Sequence, residues 1–119
     1  KKELGIPGSV TVNSLFGDNK RKTITIDIKG LNKDKKYNFT FFASRMGSND
    51  NRETSYEVAG ASTAKAVLNA AKNKDKVAEV KDIQPSADGS VVITVTKGKN
   101  NNNKSGWFYI GAMKISDVK

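Results

Sequence analysis

The sequence predicts an all-β, antiparallel fold, a sandwich or a barrel, and three observations carry that expectation. Apolar residues recur with a period of two: Ile24, Ile26 and Ile28 alternate with Thr23, Thr25, Asp27 and Lys29, and Tyr37, Phe39 and Phe41 alternate with Asn38 and Thr40. That period belongs to strands with one buried and one wet face. Segments of this character return about every dozen residues, the spacing of a sandwich or barrel. Between them lie turn residues such as Gly17-Asp18-Asn19, Gly30-Leu31-Asn32, Asn73-Lys74-Asp75 and Pro85-Ser86-Ala87-Asp88-Gly89, which preset or tolerate the dihedrals of reversals.

In order, the expected strands run over 9–16, 23–29, 36–45, 54–59, 64–69, 76–80, 90–97 and 106–116. The seventh places Val91, Ile93 and Val95 on one face. The competitor for helix is the alanine-rich stretch 61–71. There Ala64, Ala66 and Leu68 fit alternation, with Val67 on the opposite face, and a helical apolar stripe about a hundred degrees wide is not formed. Ile24, Ile26, Ile28, Phe39, Phe41, Ile93 and Val95 are the expected core. In the last strand, if Phe108, Ile110 and Ala112 face inward, Trp107 and Tyr109 face the other way.

The 119 residues fit a single domain with one core, and a chain of this length buries roughly two-thirds of the surface its unfolded form exposes. With 36% hydrophobic and 28% charged residues, it is too apolar for a disordered chain, yet has no run long enough to cross a bilayer as a helix. It contains no cysteine and no histidine. Disulfide frameworks, thiolate zinc sites, cysteine nucleophiles and imidazole-based catalysis are thereby excluded. The chain begins Lys1-Lys2-Glu3 without methionine or an apolar signal segment. It reads as a piece of a longer multidomain protein, with 1–8 as a flexible leader and a monomeric domain after it.

The formal charge of +9 comes from 18 lysines and only Arg21, Arg45 and Arg52, against 12 acids. The lysines are scattered through nearly every turn rather than gathered on one element, so nucleic acid is not the expected partner. A soluble surface with some electrostatic pull on polyanions is the simpler reading.

In an antiparallel sandwich each connection reverses the chain, so alternate loops share a pole. The connections 17–22, 46–53, 70–75 and 98–105 then fall at one pole, and 30–35, 60–63 and 81–89 at the other. The first set holds most of the long, asparagine-rich loops. Binding residues concentrate on loops held by a rigid frame, and amides both donate and accept hydrogen bonds without charge, which suits hydroxyl-rich ligands. Asparagine also serves such loops simply as a turn former.

These considerations define one candidate ligand-binding surface. Trp107 and Tyr109 are placed to stack on sugar rings, while Arg45, Asn49, Asp50, Asn51, Arg52, Asn101 and Asn102 are placed to bond hydroxyls, or a uronate carboxylate for the arginines. Either arginine can instead lock its loop by pairing with Asp50 or Glu53. Asn49, Asp50 and Asn51 offer oxygen ligands for a structural calcium, but without the alternating acids and terminal glutamate of a helix-loop-helix site. No cofactor is required.

Other motifs carry less. Ser62-Thr63-Ala64-Lys65 has the serine and lysine spacing of penicillin-recognising enzymes in a chain too short for that fold. Asp50, Glu53 and Glu57 are locally clustered and specify no cleft for glycoside cleavage. No catalytic residue is assigned.

The stretch Tyr37-Asn38-Phe39-Thr40-Phe41-Phe42-Ala43-Ser44-Arg45, then Asp50-Asn51-Arg52-Glu53-Thr54, Asp82-Ile83-Gln84-Pro85, the tract 100–103 and Gly106-Trp107-Phe108-Tyr109-Ile110-Gly111-Ala112 carry a resemblance. Over roughly 9–115 the chain resembles accessory β-sandwich domains of secreted carbohydrate-active and cell-surface proteins of gut and rumen bacteria. The resemblance implies a two-sheet, jelly-roll-like module, secreted or on the cell surface, that binds plant cell-wall polysaccharide beside an appended catalytic domain in the same chain. The alternative is a structural spacer or protein-interaction domain.

Overall fold

The computed structural model describes residues 8–118 apart from Ser48, with side chains from Gly17 onward. Eight strands are present: β1 (Gly8–Gly17), β2 (Thr23–Ile28), β3 (Tyr37–Phe42), β4 (Glu53–Ala59), β5 (Thr63–Asn69), β6 (Ala78–Ile83), β7 (Val91–Lys97) and β8 (Phe108–Asp117). The described residues contain no helix, and within 61–71 the segment Thr63–Asn69 forms strand β5, as expected. Of the leader expected over 1–8, only Gly8 lies within the described residues, and it belongs to β1, opposite Ile115.

The strands form two four-stranded antiparallel sheets, ordered β1-β8-β3-β6 and β2-β7-β4-β5. The pairs are nested: β1 with β8, β2 with β7, β3 with β6, β4 with β5. One long hairpin folded over on itself produces this order, which is the jelly roll. Burial alternates along β3 and β7, so Tyr37, Phe39, Phe41, Val91, Ile93 and Val95 lie between the sheets. The Phe41 ring of the first sheet stacks on Tyr56 of the second, with centroids 4.5 Å apart and planes 7° from parallel.

Three expectations are corrected. Ile24 and Ile26 are only partly buried, whereas Ile28 is fully buried, because β2 is an edge strand and one flank lacks a neighbour. Ala112 is half-buried and Met113 takes the core position. The alternation of β8 slips at Gly111 and Ala112, where the β1–β8 register also shifts between Thr11 and Leu15. Strand β6 runs to Ile83 rather than stopping at Val80. An extra residue sits between Val80, opposite Phe39, and Ile83, opposite Tyr37. Asp82 has φ of 60° and its N–H donates to Asn38 Oδ1 at 3.0 Å, which is a bulge on an edge strand.

Candidate functional site

Four connections meet at one end of the sandwich, as strand parity predicts. Asn19 of the β1–β2 connection donates its N–H to the Ser105 carbonyl at 2.9 Å and its Nδ2 to the Lys104 carbonyl at 3.1 Å. Asn51 N–H donates to Asn102 Oδ1 at 2.7 Å, and Asn102 N–H returns a bond to the Asn51 carbonyl at 3.0 Å. Arg45 N–H reaches the Ala70 carbonyl at 2.7 Å, and Arg52 N–H reaches Asn69 Oδ1 at 2.9 Å. The other three connections meet at the opposite pole, through Leu31 N–H to the Gly89 carbonyl at 2.9 Å and Ala61 N–H to the Gln84 carbonyl at 2.8 Å.

The β7–β8 connection is shaped by Glu53, which the sequence offers to an arginine but which is buried and bonded instead to asparagines of this loop. Glu53, 5% exposed, accepts Asn100 Nδ2 on its two oxygens at 3.2 and 3.1 Å. Its carbonyl accepts Gly98 N–H at 2.8 Å and Asn101 Nδ2 at 3.1 Å. Asn101 Nδ2 also donates to the Trp107 carbonyl at 2.7 Å, and Asn101 Oδ1 accepts Asn103 N–H at 2.9 Å. Asn103 Oδ1 accepts both Ser105 and Trp107 N–H groups at 3.1 Å. The asparagine tract is therefore a series of side-chain-to-backbone turns, and the amide of Asn101 is engaged within the protein on both its nitrogen and its oxygen.

This loop delivers Trp107 to the start of β8, with Phe108 and Ile110 fully buried and Trp107 and Tyr109 half-buried. The two half-buried rings lie side by side, centroids 6.3 Å apart and 12° from parallel. The Tyr109 backbone is fixed from the other sheet: Tyr56 donates its hydroxyl to the Tyr109 carbonyl at 2.6 Å, and Tyr109 N–H donates to Thr54 Oγ1 at 3.1 Å. Burial holds the Tyr56 hydroxyl protonated, far above the ordinary tyrosine value.

Arg52 continues the row. Its Cζ lies 5.9 Å from the Tyr109 ring centroid, its Nη1 donates to the Tyr109 hydroxyl, and its Nε donates to Asp50 Oδ1 at 2.9 Å. This is a cation held against an aromatic ring and anchored by a carboxylate. Asp50 Oδ2 accepts Asn103 Nδ2 at 2.6 Å. The bonds from Arg52 and then Asn103 hold the Asp50 carboxyl below the usual carboxylate range. Asn49 and Arg45 are exposed; the Arg45 backbone is bridged to Ala71 on the β5–β6 connection.

The set Asn49, Asp50 and Asn51 does not fit calcium. Both Asp50 oxygens already accept hydrogen bonds, one of them from a guanidinium, and Asn51 Oδ1 accepts Glu53 N–H at 2.8 Å. A cation at Asp50 would sit against Arg52. Among the described residues, no group of three or more acids is gathered to hold a metal.

Beside Trp107 lies an open depression of about 390 Å³ lined by Asp18, Asn19, Lys20, Lys104, Ser105 and Trp107. Another of about 400 Å³, lined by Asp18, Asn19, Lys22, Thr96, Lys97 and Phe108, adjoins it. Asn19, Lys20 and Lys104 are not among the expected site residues: parity brings their two connections to one pole, but no local pattern shows that Asn19 and Lys104, 85 positions apart, touch.

Comparison with protein-family models, with curated proteins and with solved structures found no match.

Proposed function

We propose that this domain is a non-catalytic carbohydrate-binding module that tethers an attached enzyme to plant cell-wall polysaccharide outside the cell. The observation that carries the proposal is the row formed by Trp107, Tyr109 and Arg52, two nearly parallel rings continued by a guanidinium, with the Tyr109 backbone held by Thr54 and Tyr56 of the other sheet. Flat apolar ring faces pack on the apolar face of a pyranose, and neighbouring polar groups bond its hydroxyls. Asn49, Asn51 and Asn102 stand at the same pole to supply amides, and Arg52 supplies donors at the end of the row. Tethering raises the effective concentration of a linked catalytic domain at its substrate and requires no chemistry here.

The test is affinity electrophoresis of the isolated domain and a Trp107→Ala variant against xylan, pectin, xyloglucan, mannan and β-glucan. The variant is expected to stay folded and to bind about tenfold more weakly, equivalent to about 1.4 kcal/mol. A folded Trp107→Ala protein that binds as tightly as the parent removes the aromatic row from the site. If the parent binds none of these polymers, the spacer or protein-interaction reading replaces this one.

A further inference from the structure

The loops flanking Trp107 carry a charge imbalance that the aromatic row does not explain. Lys20, Arg21 and Lys22 in one connection face a second containing Lys99 and Lys104, with Lys97 at its start, and Asp18 is the sole acid in either stretch. That acid also lines the depression beside Trp107 and stays ionised, but its Oδ1 is committed to its own turn, accepting the N–H groups of Lys20 and Arg21, each at 2.9 Å, and the lysines outnumber it. These bonds, from Arg21 and then Lys20, also hold its carboxyl below its ordinary value. The Asp18 carboxylate thus pairs with none of the lysine side chains of these two loops, and the ion pairs found among the described residues lie elsewhere, at Lys33, Lys35, Arg52 and Lys81.

The two connections are also joined rigidly. Asn19 donates twice to the Lys104–Ser105 backbone, and Gly106, at φ of 71°, lies so close that a Cβ there would be 2.1 Å from Asn19 Oδ1. The depression that places Lys20 and Lys104 beside Trp107 is therefore a property of the fold rather than of two independent loops. Its volume, about 390 Å³, falls in the range of small-ligand sites. Ammonium groups attract an anion as point charges with little demand on its geometry.

We propose that this depression is an anionic-sugar subsite: Lys20 and Lys104 hold the negative group of one residue of the bound polysaccharide, and Trp107 packs against the adjoining ring. The inference rests on the carbohydrate-binding reading and deepens it, naming acidic glycans as the preferred class. A uronate carboxylate and a sulfate ester present the same charge to the two ammonium groups, so the experiment treats them as separate arms.

Binding is measured by calorimetry at fixed ionic strength to polygalacturonate and its carboxyl-reduced counterpart, and to a sulfated galactan and its desulfated counterpart. The proteins are the parent, K20Q/K104Q, and K29Q/K36Q at the opposite pole, each checked for an unchanged melting temperature. The parent is expected to favour at least one acidic polymer about tenfold or more over its neutral counterpart. K20Q/K104Q should lose that preference while retaining the neutral-polymer affinity, and K29Q/K36Q should keep both. The arm showing the preference identifies the group.

The inference is overturned if the parent shows no preference in either arm, if K20Q/K104Q retains it, or if K29Q/K36Q loses as much, which would make the attraction a general effect of net charge. Competition by a single-stranded oligonucleotide as effective as the acidic glycan would overturn it too. In each of those cases retained neutral-glycan binding leaves the carbohydrate reading standing; binding to none of the polymers removes both.

Discussion

Asparagine in the 98–107 loop acts mainly on the backbone. Asn101 and Asn103 each satisfy two or more main-chain groups that a loop without a ladder would leave unpaired, and buried or half-buried amides and carbonyls are costly when unpaired. Glycine has the complementary role at Gly106, where positive φ and the nearness of Asn19 both exclude a side chain. Gly106→Ala is expected to cost about 1–3 kcal/mol from its backbone conformation, with an added penalty as the methyl displaces the Asn19 amide. Thermal denaturation reads this directly. An unchanged melting temperature would mean that the two loops are not joined as described.

At the scale of the strand, position in the sheet decides the value of an apolar residue. Phe41 lies on β3, with neighbours on both sides and Tyr56 stacked across the sandwich; Ile24 lies on an edge and is partly covered. Phe41→Ala is expected to cost about 3–5 kcal/mol, and Ile24→Ala less than half as much, in denaturant unfolding. Equal losses would show that β2 is as deeply buried as β3. The alternation in the sequence marked both strands because each has a covered face, but it carries no information on how many neighbours a strand acquires. The end of β6 was hidden for a related reason. Its bulge at Asp82 breaks the period of two, and Lys81-Asp82 reads as a turn until Asn38 is seen to receive the Asp82 N–H.

For the whole molecule, three carboxyls at the two poles couple stability to pH. Arg21 and Lys20 N–H groups depress Asp18, Arg52 and Asn103 depress Asp50, and the Ser86 and Ser90 hydroxyls depress Asp88. A depressed carboxyl favours the folded state only while ionised. Its contribution is complete above the ordinary value of 3.8 and is lost as the pH falls through the lower folded value. The melting temperature should therefore decline as the pH falls below about 4, where rising positive charge also adds repulsion. A D18N/D50N/D88N variant retains the repulsion but not these three titrations, so its melting temperature should fall less between pH 4 and pH 2. Parallel declines would show that the three acids contribute nothing to the acid sensitivity.

The sequence by itself determined the strands, their inward faces at Phe39, Phe41, Ile93 and Val95, and the gathering of the asparagine-rich connections at one pole. These follow from a period of two and from the parity of an antiparallel chain, both local properties. The tertiary structure alone decided the nested order of the sheets and the side-by-side placement of Trp107, Tyr109 and Arg52. It also decided the burial of Glu53 beneath the 98–107 loop and the meeting of Lys20 with Lys104. Those relations join residues far apart in the chain, and their energies come from packing and hydrogen bonds that exist only when two sheets close over one core.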